Sequence, residues 1–172
     1  FQRHAVTLLT GPPGTGKTYL AVAYAVKEVL EGRSETIFLT RPNVEAGEHL
    51  GLQPGTVGQK IGVFMGPFFD ALTQLVGPPK SPRRMLIDKA IELRPLAFLR
   101  GATLRNGIAL LDEAQNCSRA QIKMYLSRIG EGTTMIISGH PEQNDLTGIY
   151  GVCDFETATS RIQAGILDGE SG

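Results

Sequence analysis

Residues 11 to 18 read Gly11-Pro12-Pro13-Gly14-Thr15-Gly16-Lys17-Thr18. This fits the spacing G-x-x-x-x-G-K-[ST], whose chemistry is the binding of phosphate. Glycines let the backbone curl until its N–H groups point inward at an anion. A helix that follows adds the positive end of its dipole. Lys17 reaches the outer phosphates of a nucleotide as a point charge, and Thr18 supplies a hydroxyl to Mg²⁺. Gly11, Pro12, Pro13, Gly14, Thr15, Gly16, Lys17 and Thr18, with Tyr19 beside them, are the candidate nucleotide contacts. The plain alternative is a glycine-rich turn with a chance lysine. The apolar strand before the loop and the amphipathic helix after it argue against that.

A second group of residues completes such a site. Ile108 to Gln115 reads IALLDEAQ, an apolar strand that delivers two carboxylates at its tip. Asp112 would hold Mg²⁺ through water, and Glu113 would orient and polarise an attacking water. Two acids are consistent with a hydrolase, whereas a nucleotide kinase less often needs the second. The competing reading has both acids capping the next helix. A further strand ends at Ser138-Gly139-His140, with Gln143 close behind. Ligand-binding groups gather beyond the carboxyl ends of parallel strands, so Ser138 and Gln143 are candidates to sense the γ-phosphate or its water. A polar turn is the alternative, and His140 fits either the site or solvent. Arg41, Arg100 and Arg128 are candidate cations for the charge that develops during hydrolysis, against the ordinary role of a solvated or salt-bridged arginine. Lys80-Ser81-Pro82-Arg83-Arg84 is basic but carries no interleaved aromatics, so a solvated loop is favoured over an RNA track.

The elements that must position these groups alternate strand and helix. His4 to Thr10 is a short β-prone run that stops at the glycine-rich loop. Gly16 to Leu30 turns to helical spacing through Leu20, Ala21, Tyr24, Val26 and Leu30, and Gly32 ends it. Thr36 to Thr40 is a second strand. A β-turn-α-β order predicts parallel strands joined by a right-handed crossover, and hence an α/β fold with helices on both faces. Residues 41 to 66 read as a long surface excursion. Pro67 to Val76 and Met85 to Ile91 read as short helices. Pro95 confines any strand within Ile91 to Phe98 to a short or edge position. Gly107 to Leu111 is a strongly apolar strand. Ser118 caps a helix from Arg119 to Ile129 that Gly130 closes. Thr133 to Ser138 is another strand, and a last helix is expected around Phe155 to Ala164.

The 172 residues fit one compact domain, and a formal net charge of +0 offers no whole-protein field for nucleic acid or an anionic membrane. Cys117 and Cys153 are too few and too far apart for a zinc site and read as free thiols of a reducing compartment. No apolar run approaches the length of a membrane-spanning helix. The start lacks a signal-peptide pattern, and its opening at Phe1, directly before a strand, predicts an excised domain.

Taken together and in order, GPPGTGKTYLAVAYAV, LTRPNVEAGEHLG, PLAFLRGATL, LLDEAQN, QIKMYLSRIG and TTMIISGHPEQNDL closely resemble the PhoH-like proteins, P-loop ATPases related to superfamily 1 helicases. The match runs from Val6 to Asp145; the first and fourth stretches occur in many ATPases, and the LTRP stretch is specific. The resemblance implies a RecA-like core with the Ser138 strand between the phosphate-loop strand and the Asp112 strand, which turns Gln143 toward the γ-phosphate. It implies one domain over residues 1–172, without the family's N-terminal and C-terminal extensions. It also implies ATP and Mg²⁺ as cofactors, cytoplasmic location, a homo-oligomeric ring (a hexamer), and a link to single-stranded RNA, unwinding and phosphate starvation. In a ring, Arg128 or Arg100 would reach the neighbour's nucleotide. Two departures stand out. His140 takes the place of the family's aspartate, removing a carboxylate near metal or water, and IGVFMGPFFDAL is apolar where relatives carry charge. The second departure bears on a substrate-contact role for the excursion, while His140 and the zero net charge leave open a second class of function, a nucleotide-dependent switch or assembly module that hydrolyses slowly and touches no nucleic acid.

Overall fold

The computed structural model describes residues 5–42 and 65–140. Their chain order is β1 (Val6–Thr10), α1 (Lys17–Leu30), β2 (Thr36–Thr40), α2 (Gly66–Val76), α3 (Pro82–Ala90), β3 (Ile91–Leu93), β4 (Gly107–Leu111), α4 (Arg119–Leu126) and β5 (Thr134–Gly139). Single 3-10 turns lie at Leu96–Phe98 and Ala114–Asn116. The described strands form one five-stranded sheet, in the order β1-β5-β4-β2-β3 and parallel throughout. β5, which carries Ser138, lies between the phosphate-loop strand and the Asp112 strand, as the family resemblance implies.

The strands are apolar at nearly every position because both faces of the sheet are covered, which is the usual condition of parallel sheets. Ile37, Leu39, Ile108, Leu110 and Ile136 face α1, α2 and α3, packing on Val22, Val26, Phe68, Leu72 and Ile87. The alternate residues Phe38, Ala109, Leu111, Met135 and Ile137 face the other way, onto Leu96, Leu99, Ile122 and Tyr125. Period-two alternation thus sorts one run of residues into two cores. At Gly107 a Cβ would lie 2.4 Å from the Thr36 carbonyl oxygen. That glycine lets β4 start hard against β2.

Several boundaries differ from the sequence reading. α3 starts at Pro82 rather than Met85: Ser81 caps it, accepting from Arg84 N–H at 3.4 Å, and Pro82 takes the first turn where its missing N–H costs nothing. The basic stretch is therefore helical from Pro82. Its Arg84 is buried, donating to Asp88 Oδ1 at 2.6 Å and Thr73 Oγ1 at 3.3 Å and lying over the Phe69 ring. α4 stops at Leu126, not Ile129. Leu104 N–H bonds Arg128 C=O at 2.8 Å and Leu104 bridges Ile129, so pairing with a neighbouring segment overrides the helical pattern. Gly130 is not the helix cap; a Cβ there would sit 2.5 Å from the Leu104 carbonyl oxygen, so the glycine serves that close approach. β5 runs one residue later than expected, to Gly139. The short strand before Pro95 is Ile91–Leu93, and it lies at the sheet edge. The helix expected at 155–164 and residues 43–64 of the excursion expected over 41–66 lie outside the described residues, and Gly66 already belongs to α2.

Candidate functional site

The loop between β1 and α1 holds a shape that only glycine adopts at low cost. Gly14 and Gly16 have φ of 75° and 81°. A Cβ at either would meet nothing within 4 Å, so the backbone conformation and not space is the constraint. Thr15 Oγ1 donates to Pro12 C=O at 2.8 Å and closes the turn. Gly16 caps α1 without a side-chain hydrogen bond. The first-turn amides of a helix have no intrahelical acceptor and are available to an anion. Lys17 Nζ arches back over the loop and donates to the Gly11 and Pro12 carbonyls, each at 2.7 Å.

The acids approach from the middle of the sheet. Asp112 N–H bonds Thr40 C=O at 3.0 Å, extending the β2–β4 pairing by one residue and fixing where the carboxylate emerges. Asp112 is buried. Thr18 Oγ1 lies 3.1 Å from both of its oxygens, Ser138 Oγ donates to Oδ1 at 2.5 Å, and Arg41 Nη2 donates to Oδ2 at 3.1 Å. Glu113 then turns into the left-handed region, at φ 57°. A non-glycine residue there is uncommon and costs about 1–3 kcal/mol, a strain that concentrates at functional sites. The turn swings its half-exposed side chain to the cleft mouth. Oε1 accepts from Arg41 Nη2 at 3.2 Å and Oε2 from Gln115 Nε2 at 2.5 Å. Neither acid is spent on capping: Glu113 precedes the 3-10 turn but makes no side-chain cap hydrogen bond, and Asp112 faces Thr18, Ser138 and Arg41.

These groups line one cleft of about 310 Å³. Its walls are Pro13, Gly14, Gly16, Lys17 and Thr18 from the loop, Asp112, Glu113 and Gln115 after β4, and Gly139 and His140 at the end of β5. Gln115, which the sequence reading did not single out, joins two of these walls. Its amide donates to Glu113 while its Oε1 accepts from His140 N–H at 3.0 Å. The signal available was its place two residues after the second acid, on the same turn.

The other candidates are placed as follows. Arg41 is in the site, with its guanidinium over the Phe68 ring at 5.9 Å. Ser138 acts on Asp112 directly. Tyr19 is exposed on the first turn of α1 and is not a wall of the cleft. Arg100 is exposed just after the turn at Leu96–Phe98. Arg128 is half-buried and engaged with its own chain, donating to Met124 C=O and Ala102 C=O at 3.2 Å and to Ser127 Oγ at 3.0 Å. Gln143 lies outside the described residues.

The donor set fits a nucleoside triphosphate with Mg²⁺. A hydroxyl and a carboxylate meet at Thr18 and Asp112, and at Gly14 and Gly16 the loop wall carries no side chain to fill the cleft. Among the described residues no three His, Cys, Asp or Glu side chains converge as a metal site. Mg²⁺ is ordinarily held by one or two protein groups together with phosphate oxygens and water, so this smaller set suits it.

A model of the PhoH-like protein family matches residues 1–163. The chain is 48% identical over 145 residues to a PhoH-like protein of Synechocystis sp., covering 84% of this chain and 44% of that one. It is 46% identical over 145 residues to a PhoH-like protein of Bacillus subtilis, covering 84% and 45%. It is 38% identical over 146 residues to the Escherichia coli protein PhoH, covering 84% and 40%. The chain spans less than half the length of these curated relatives. Among solved structures it is similar to the helicase nsp10 of PRRSV, with a TM-score of 0.41 at 17% identity, covering 89% of this chain and 29% of that chain. Among the described residues, no helix is long and apolar enough to cross a membrane.

Proposed function

This chain belongs to the PhoH-like protein family and is a nucleotide-binding P-loop protein, and on that premise we propose that it hydrolyses ATP with Mg²⁺ as one domain. The observation that carries the reading is the meeting of Thr18 and Asp112, 94 residues apart in sequence and 3.1 Å apart in the fold. A hydroxyl and a buried carboxylate converge beside a phosphate loop, with a second carboxylate at the cleft mouth. Bound Mg²⁺ would neutralise charge on the phosphate oxygens. The chain's own residues supply the rest. The loop amides and Lys17 hold the phosphates, Thr18 and Asp112 hold the metal, and Glu113 takes the proton of the attacking water. Gln143 is proposed to sense the γ-phosphate or its water.

The family resemblance extends the proposal to a cytoplasmic homo-oligomeric ring whose turnover responds to single-stranded RNA. In that ring Arg100, which projects into solvent, is better placed to reach a neighbour than Arg128, which would first have to release three hydrogen bonds.

Steady-state ATP hydrolysis, with and without Mg²⁺ and single-stranded RNA, tests the proposal. Turnover that needs Mg²⁺, rises with RNA and is lost in Glu113→Gln is the expected result. The same assay on Arg100→Ala and Arg128→Ala asks which arginine acts; unchanged turnover removes that residue from the mechanism. Tight ATP binding with no turnover would replace the hydrolase by a nucleotide-dependent switch. That reading draws support from His140, which contributes an imidazole rather than a carboxylate to the cleft wall.

A further inference from the structure

Arg41 stands at the carboxyl end of β2, and its place relative to the two acids is unlike that of Arg100 or Arg128. One nitrogen, Nη2, lies 3.1 Å from Asp112 Oδ2 and 3.2 Å from Glu113 Oε1. Its side chain is only 17% exposed, and the guanidinium is seated over the ring of Phe68, a fully buried residue of α2. The cation is therefore held from below by an aromatic face and shared above by neighbouring carboxylates. Two adjacent carboxylates repel, and a cation between them offsets that repulsion. Glu113 is fixed at both oxygens, Oε1 by Arg41 and Oε2 by Gln115. Its side chain is 43% exposed, so without these anchors it would sample solvent-facing rotamers.

We propose that Arg41 is a positioning residue for hydrolysis: it ties the Glu113 carboxylate to the tip of β2 and to α2, and so sets the direction from which the base receives a proton. This rests on the hydrolase reading above and adds to it the group that aims the base. Arg41 touches neither nucleotide nor water in this role. It acts through Glu113, and through the charge it shares with Asp112.

The test combines steady-state kinetics with equilibrium binding of a fluorescent ATP analogue, on the unaltered protein, Arg41→Ala, Arg41→Lys and Arg41→Gln. In Arg41→Ala, kcat should fall by about 10- to 100-fold, the size expected when a general base loses its aim. Nucleotide affinity, measured without Mg²⁺ so that the Arg41–Asp112 contact does not enter, should stay within about threefold. Arg41→Lys should retain part of the turnover, since a single nitrogen serves both acids. Guanidinium added at millimolar concentration should restore part of the turnover of Arg41→Ala. Should Arg41→Ala fail to fold, Arg41→Gln keeps the aliphatic stem of the side chain without the guanidinium and carries the same expectation for kcat. Two results overturn the proposal: turnover unchanged in Arg41→Ala, or turnover and affinity falling together with no recovery in guanidinium. Absence of turnover in the unaltered protein removes the hydrolase reading and this role with it, whereas turnover that survives loss of Arg41 removes this role alone.

Discussion

Replacing Ser138 by alanine deletes one oxygen from the centre of the sheet and measures what holds Asp112 in place. Ser138 is 2% exposed and Asp112 3% exposed, so little water reaches the bond to replace the lost donor. The bond is short, 2.5 Å, and its acceptor is a carboxylate. A hydrogen bond to a charged group contributes about 1.5–3 kcal/mol to stability. Asp112 keeps its contacts with Thr18 and Arg41, so the carboxylate is weakened rather than orphaned, and the loss should lie near the lower half of that range, about 2 kcal/mol. For a chain of this size each kcal/mol shifts the midpoint by about 2–4 °C, so Tm should fall by about 4–8 °C. Thermal unfolding followed by far-ultraviolet circular dichroism reads the shift directly. The same change in an Asp112→Ala background should cost clearly less, because the acceptor is gone. A shift of less than about 1 °C, or an equal shift in both backgrounds, would refute the account of Asp112 as a buried carboxylate dependent on this donor.

Two further outcomes follow from buried or paired ionisable groups. Burial pushes the Cys117 thiol up to about 12, so little of it is thiolate and it should resist a maleimide in mildly alkaline buffer until the protein unfolds. A Cys153→Ser background isolates the readout, and rapid labelling of the folded protein would contradict it. The Arg33 guanidinium, donating to Glu28 at 2.9 and 2.5 Å, holds that carboxyl below its ordinary value of 4.5. A depressed carboxyl stabilises the fold above its unfolded pKa and loses that contribution as pH falls through the folded one. Glu28→Gln should therefore lower Tm at neutral pH, with the difference from the unaltered protein shrinking below pH 4.5; a difference constant with pH would disprove the pairing.

The central strands were legible because burial on both faces writes unbroken apolar runs. Thr36 to Thr40 and Gly107 to Leu111 match the structure at both ends. The phosphate loop and Asp112 were legible because their chemistry demands residue types at fixed spacing. What sequence could not give is distance between elements. Arg41 was one of three equivalent arginines in the sequence; only the packing of β2 against β4 brings it to the acids, while Arg128 turns to its own backbone. Gln115 carries no motif-level signal for its link to His140, because that contact spans two strand ends. α4 was read too long because Ile129 continues a helical period while its backbone is claimed by Leu104. α3 was read too short because Ser-Pro opens like a loop, although the same pair makes a good helix start.

The strand order has a consequence for how the site comes into being during synthesis. Among the described strands, β1 pairs only with β5, Val6 opposite Met135 and Thr10 opposite Gly139. The phosphate loop is made well before β5, and among the described strands the one that supports it has no partner until β5 has been made. Pairing of such wide sequence separation closes late and slowly, because loop-closure entropy precedes the gain from contact. Ser138, which steadies Asp112, arrives with that same strand. A nascent chain ending before β5 would thus display the glycine loop without a mature nucleotide pocket, and nucleotide capture by the emerging polypeptide would begin only once β5 slots between β1 and β4.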